Sequence, residues 1–157
     1  MDRRLDLAEA IHSLRRSPGT YALIVTLDRS HFIRIGRRGR FHFPAGFYVY
    51  VGSALGPGGL AGRLKSHLRK DKRLYWHIDY LLRHARVEQV WVAEGANRRE
   101  CEWVRTMMAW PGASIVAPRF GASDCQCESH LIAFDVIPDR DWFALLAGDE
   151  VKRWQVE

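Results

Sequence analysis

Three cysteines in 157 residues are too few, and odd in number, for a disulfide framework, and they fit a chain kept in a reducing compartment. No apolar run approaches the roughly 20 residues of a membrane-spanning helix. The first residues, Met1 to Arg4, are charged and no apolar segment follows, so a secretory leader is not expected. These absences predict a cytoplasmic protein with no membrane partner. Internal repeats and low-complexity segments are also lacking, and the length predicts a single domain over 1–157. What is present is a folded-protein balance, 47% hydrophobic and 27% charged. Acids are scarce in one stretch: from Arg29 to Arg73 there are eleven basic residues and one acid, Asp71. A local excess of that size suggests a polyanionic partner, with nucleic acid first among candidates; the alternative is a solvated basic face with no partner.

Hydrophobic periodicity divides the chain. Leu7, Ile11 and Leu14 recur at helical spacing within 5–16, and Pro18-Gly19 stops that helix. Thr20 to Leu27 reads as a buried strand, His31 to Gly36 as its hairpin partner, and Phe41 to Phe43 as a short edge strand. Gly46 to Gly52 is the third strong strand, and the Gly- and Pro-rich residues Ser53 to Gly59 form a loop. A basic helix is expected over Leu60 to Arg69, and further helices over Trp76 to His84, Arg98 to Trp110 and Asp141 to Leu146. Gln89 to Ala93 and Leu131 to Val136 read as strands. Strands and helices mix without strict βαβ alternation, which predicts an α+β fold: a small, mostly antiparallel sheet flanked by helices.

Two tyrosines stand at strand ends close in sequence, Tyr21 after Gly19-Thr20 and Tyr50 before Val51-Gly52. Tyr48 alternates with Tyr50 onto the same strand face, either as core or as a lining residue. In the helix that follows, Arg63 and His67 lie four residues apart on one face, while Leu60, Leu64 and Leu68 form the docking stripe. Glu102 lies in a later helix among Cys101, Trp103, Val104, Met107 and Met108. Two phenols, a guanidinium, an imidazole and a carboxylate are the groups a one-metal phosphodiesterase needs. A carboxylate suits a hard cation such as Mg²⁺, Arg neutralises charge developing on phosphate, and a phenol or imidazole can orient or deprotonate water.

Taken in order, these motifs resemble the GIY-YIG nuclease superfamily. GTY (Gly19 to Tyr21) stands for its first motif, YVG (Tyr50 to Gly52) for its second, GRLKSH (Gly62 to His67) for its Arg-bearing helix, and Glu102 for its metal-binding glutamate ahead of Pro111. More narrowly, GFYVYVGSA, WHIDYLL, ECE and GASDCQCESHL are similar to a standalone bacterial and archaeal branch long catalogued as a domain of unknown function, also found fused to a DNA-repair glycosylase. Thr20 and Val51 replace the usual Ile but remain β-branched. The resemblance covers about 19–134. It implies a three-stranded antiparallel core flanked by helices, and hydrolysis of a nucleic-acid phosphodiester, with DNA the expected substrate and Mg²⁺ or Mn²⁺ the cofactor. Carried over by position, Tyr21 and Tyr50 flank water and phosphate, Arg63 contacts the phosphate, His67 assists, Glu102 binds the metal, and Gly52 lets the backbone turn beside the site. Glu100 is the second option for the metal.

Around that set, Lys65, Arg69, Lys70, Lys72 and Arg73 are expected to touch backbone phosphates. Asp79 and His77 read as structural hydrogen-bonding groups, and Asp124 and Glu128 as groups supporting the site. Cys125, Cys127 and His130 spell C-x-C-x₂-H, and with Cys101 could bind zinc if the fold brings them together. The spacing is not a standard zinc-knuckle pattern, and small buried core cysteines are the favoured alternative. Two function classes therefore stand: a metal-dependent endonuclease, favoured because every expected site position holds a competent group, and a non-catalytic nucleic-acid-binding module with the same fold.

Overall fold

A computed structural model describes residues 6–71 and 73–156. The architecture is α+β. One strand, β1 (Gly19–Leu27), organises it: its residues are nearly all buried, so both of its edges and both of its faces are covered. Apolar β4 (Gly46–Ala54) and β5 (Arg86–Glu94) take the two edges, each antiparallel along its length. Two short strands extend them, β6 (Leu131–Phe134) beside β4 and β7 (Lys152–Gln155) beside β5, giving the sheet order β6-β4-β1-β5-β7. The expected three-stranded antiparallel core is thus the centre of a five-stranded sheet. β7 escaped sequence reading because KRWQ is short and polar, and Trp154 is the one side chain in it that is buried.

Alternation along β1 sends side chains to two separate cores. Tyr21, Leu23 and Val25 join Tyr48, Tyr50, Val90 and Val92 on one face. That face is covered by α1 (Leu7–Ser13), α2 (Gly59–Leu68) and α3 (His77–Leu82). Ile11 and Leu14 anchor the α1 segment, and Leu60 and Leu64 dock α2 with Leu68 partly buried beside them, as their spacing predicts. Ala22, Ile24, Val49, Val51 and Trp91 form the other face, packed by α4 (Glu100–Met108) and α5 (Arg140–Ala147). Tyr48 is core: it is buried, and its hydroxyl donates to the Pro44 carbonyl at 2.5 Å.

His31–Arg34 is not the hairpin partner of β1. It forms β2 of a separate two-stranded sheet with β3 (Arg40–Phe43), joined through a 3-10 turn over Gly36–Arg38. The physical reason is that β2 buries only Ile33, whereas β1 needs apolar partners along nine residues and finds them in β4 and β5. Boundaries also shift. Ser53 and Ala54 continue β4 rather than opening a loop, and β5 starts three residues early, at Arg86. Leu5, inside the first expected helix, and Lys72 lie outside the described residues.

Gly52 does not serve a turn. It lies within β4 directly opposite Tyr21, and a Cβ there would sit 2.4 Å from the Tyr21 hydroxyl and 2.5 Å from ring carbon Cζ. Gly19 answers a similar constraint, since a Cβ would meet the Ala93 carbonyl at 2.5 Å and Leu60 Cδ1 at 2.6 Å. Both motif glycines therefore make room, one for a phenol and one for a strand and helix. Gly52→Ala is expected to cost about 1–3 kcal/mol by overpacking. Most of that cost should vanish in a Tyr21→Ala background, and equilibrium urea denaturation of the four proteins of the cycle measures the coupling.

Candidate functional site

Under the Gly52 gap, the ring of Tyr21 runs toward α2. Its hydroxyl lies 2.7 Å from His67 Nε2, and His67 Nδ1 faces Asp79 Oδ1 at 3.5 Å. All three residues are buried. Asp79 is held by its place at the start of α3, where Oδ2 accepts from the backbone N–H groups of Tyr75 (3.1 Å) and Trp76 (2.8 Å). Arg63, one helical turn before His67, brings its charge to bear on the same phenol. Its Nη1 donates to the Ser53 carbonyl at 3.0 Å, and its guanidinium carbon sits 4.2 Å from the centre of a Trp76 ring. The donors run in one direction. With Nδ1–H turned to Asp79, His67 Nε2 accepts the hydrogen bond of the Tyr21 hydroxyl. Burial is the main cause that raises the Tyr21 pKa; the Arg63 charge opposes it without reversing it, so the phenol is protonated at neutral pH.

Above this chain opens a cleft of about 320 Å³, lined by Tyr50, Gly52, Arg63, Tyr75, Glu100 and His130 among others. Tyr50 packs its ring against His67 and Phe120, both 6.0 Å between centroids, and burial raises its hydroxyl pKa as well. Glu100 is the first residue of α4, and Oε1 accepts from Arg98 Nη1 at 3.1 Å while Oε2 faces His130 Nδ1 at 3.8 Å. The far wall is an irregular segment carrying Ser123, Asp124 and Cys125. It is fastened by His77, whose Nδ1 accepts from the Gly121 N–H at 2.7 Å, and by Arg119, whose guanidinium donates to the carbonyls of Cys127 and Cys125 at 2.6 Å each.

Tyr21, Tyr50, Arg63 and His67 therefore converge as expected, and Glu102 does not. Glu102 is half exposed, ion-pairs with Arg99 and lines a different hollow beside Arg105 and Ala147. The reason is helical geometry. Trp103, Val104 and Met107 face the core, so position 100 shares their face, whereas 102 shares the outer face with 105 and 106. That periodicity was readable in the sequence and outweighs the distance to Pro111. Arg98 is a further member that sequence reasoning did not select; Asp79, expected as a structural hydrogen-bonding group, accepts two backbone N–H groups in the first turn of α3 and also faces His67. The basic run is divided. Arg63 points to the cleft, but Arg69 and Lys70 border a separate groove with Leu68 and Leu82, and Lys65 and Arg73 are exposed outside the cleft lining.

The cysteines are not core residues. Cys101, Cys125 and Cys127 are free thiols of intermediate exposure. Their sulfurs and one nitrogen of His130 all lie within 4.8 Å of one another, a group able to hold a metal ion. Burial, and then the neighbouring thiols, push Cys127 up to about 12.

A family model described as "Domain of unknown function DUF123" matches residues 20–145. The chain belongs to the DUF123 family. No curated protein matches it, and no solved structure does. The match spans the elements that build the DUF123 cleft, from Tyr21 on β1 through Glu100 on α4 to His130 ahead of β6.

The clasp between His77 and Gly121 makes stability pH-dependent. Burial, followed by the Arg38 charge, lowers the His77 pKa below its ordinary 6.5. The unfolded chain thus takes up this proton at a higher pH than the native state, so the clasp's contribution is complete above about 6.5 and declines as pH falls below it. His77→Gln should show a shallower loss of denaturation free energy between about pH 7 and pH 5 than the parent protein. An identical slope would assign the loss to other groups.

Proposed function

We propose that this protein is a divalent-metal-dependent endonuclease acting on nucleic acid, with DNA as its substrate, in the manner of the GIY-YIG nucleases its motifs resemble. The observation that carries this reading is the convergence, on one cleft, of Tyr50, Arg63 and Glu100 over the buried Tyr21–His67–Asp79 chain. Arg63 is placed to neutralise a phosphate entering the cleft, because Ser53 and Trp76 hold the guanidinium in position before any ligand arrives. Tyr75, with most of its surface exposed on the cleft rim, offers a ring on which a nucleobase can stack.

Glu100 and Asp124 both line this cleft, and their carboxylates are the oxygen ligands that suit a hard cation such as Mg²⁺ or Mn²⁺, with water completing its shell. When bound there, the cation supplies Lewis acidity toward the phosphate oxygens. The protein's own groups do the rest. Tyr50 orients the attacking water. That water gives its proton to solvent in the open cleft, while the buried Tyr21–His67–Asp79 chain beneath it fixes α2 and with it Arg63. The new bond joins water oxygen to phosphorus, the P–O bond on the opposite side breaks, and the leaving oxygen takes a proton from solvent. The raised phenol pKa keeps Tyr21 protonated in that positioning role.

Cleavage of supercoiled, branched and single-stranded DNA with Mg²⁺ or Mn²⁺ tests the reading. Arg63→Ala and Glu100→Gln are each expected to lower turnover about 10²–10³-fold, while Glu102→Ala leaves it within about twofold. Tight binding with no cleavage under either metal would instead assign the chain to the non-catalytic binding class. Affinity should fall steeply between low and physiological salt, because the exposed Arg and Lys side chains release counterions from phosphate; filter binding across a salt series measures the slope.

A further inference from the structure

The segment between α4 and β6, residues 109–130, contains no helix and no strand beyond one isolated bridge from Ser114 to Ala133. An irregular stretch of that length in a compact domain needs fastening. His77 fastens its middle from outside, Arg119 braces it internally, and at its end Cys125, Cys127 and His130 turn back onto Cys101 of α4. The four ligand atoms lie within 4.8 Å of one another, and Cys125 Sγ is 3.1 Å from His130 Nε2. Tetrahedral zinc with Zn–S near 2.3 Å and Zn–N near 2.0 Å places its ligand atoms about 3.5–3.8 Å apart, so small rotations of these side chains suffice.

We propose that Cys101, Cys125, Cys127 and His130 hold one zinc ion in a closed, structural site that staples the 109–130 segment to the first turn of α4. The donor set decides the metal. Three thiolates and an imidazole are soft ligands in a four-fold array, which selects zinc over the hard cations suited to Glu100 next door. The protein fills all four positions, so none is left for water or substrate, and the site is structural. His130 binds through Nε2, which leaves Nδ1 on the side of Glu100, whose Oε2 is 3.8 Å away, beyond direct hydrogen-bond reach. Arg119 holds the carbonyls of Cys125 and Cys127, which sets the loop backbone so that both sulfurs point the same way.

The consequence for the cleft rests on the nuclease reading above: zinc is then a positioning device. Cys101 follows Glu100 directly, and Asp124 precedes Cys125, so one ion fixes the backbone beside both carboxylates.

The experiment is elemental analysis of the full-length, untagged protein purified under reducing conditions, with Co²⁺ replacement as a second readout. About one zinc per chain is expected, with the intense visible absorption of tetrahedral cobalt–thiolate after exchange. Cys101→Ser and Cys127→Ser should each lose most of the zinc, whereas Arg63→Ala, in the cleft, keeps it. Strong chelation should lower the melting temperature of the parent protein and expose its three thiols to titration. Folded, reduced protein that neither carries zinc nor takes up zinc or cobalt would overturn the proposal, as would bound iron in its place, or full zinc retention in Cys127→Ser. If both serine variants fail to fold, the parent protein's zinc content and cobalt spectrum still decide. A full zinc complement with no cleavage of DNA refutes the nuclease reading alone; cleavage by zinc-free folded protein refutes the zinc site alone.

Discussion

The fit of the Tyr21 phenol into the space opposite Gly52 is the constraint on which the rest of the site depends. Only a residue without a side chain leaves room for that ring between two paired strands. With the ring seated, its hydroxyl meets His67, one helical turn after Arg63 on α2. Helix and strand are thereby locked in one register, and the helix stripe of Leu60 and Leu64 secures it through apolar burial. A guanidinium that must face a cleft is held there by contacts that exist without any ligand. Such preorganisation is what makes an electrostatic site effective.

The sheet separates two kinds of work. One face carries α2 and α3 with the buried Tyr21–His67–Asp79 chain; the other carries α4, whose inner residues Trp103, Val104 and Met107 pack on β4 and β6. Glu100 belongs to that second layer, yet it reaches the cleft because it stands at the very start of its helix. The cleft is thus assembled where the two layers meet at one end of β1 and β4. The irregular 109–130 segment closes it, hung from His77 and from Cys101 through the cysteine cluster and braced within by Arg119. Sites built in this way draw rigidity from the strands and chemistry from helix ends and loops.

Much of this was legible in the residues. The apolar runs of β1 and β4, the Leu stripe of α2 and the Tyr21, Tyr50, Arg63 and His67 set all lie where their patterns put them. Distance to Pro111 points to Glu102, but the helical period of Trp103, Val104 and Met107 singles out position 100, which lines the cleft. β2 was paired with its neighbour in sequence because nothing local reveals that β1 has both edges occupied by longer apolar strands.

By itself, then, the order of residues determined which segments are strands and helices and which side chains carry chemistry, because period and composition are local properties of the chain. Only the tertiary structure decided that Gly52 serves a phenol rather than a turn, and that Cys101 meets Cys125, Cys127 and His130. Those are relations between segments distant in sequence. They follow from how the two layers pack across the sheet, and no local pattern contains that information.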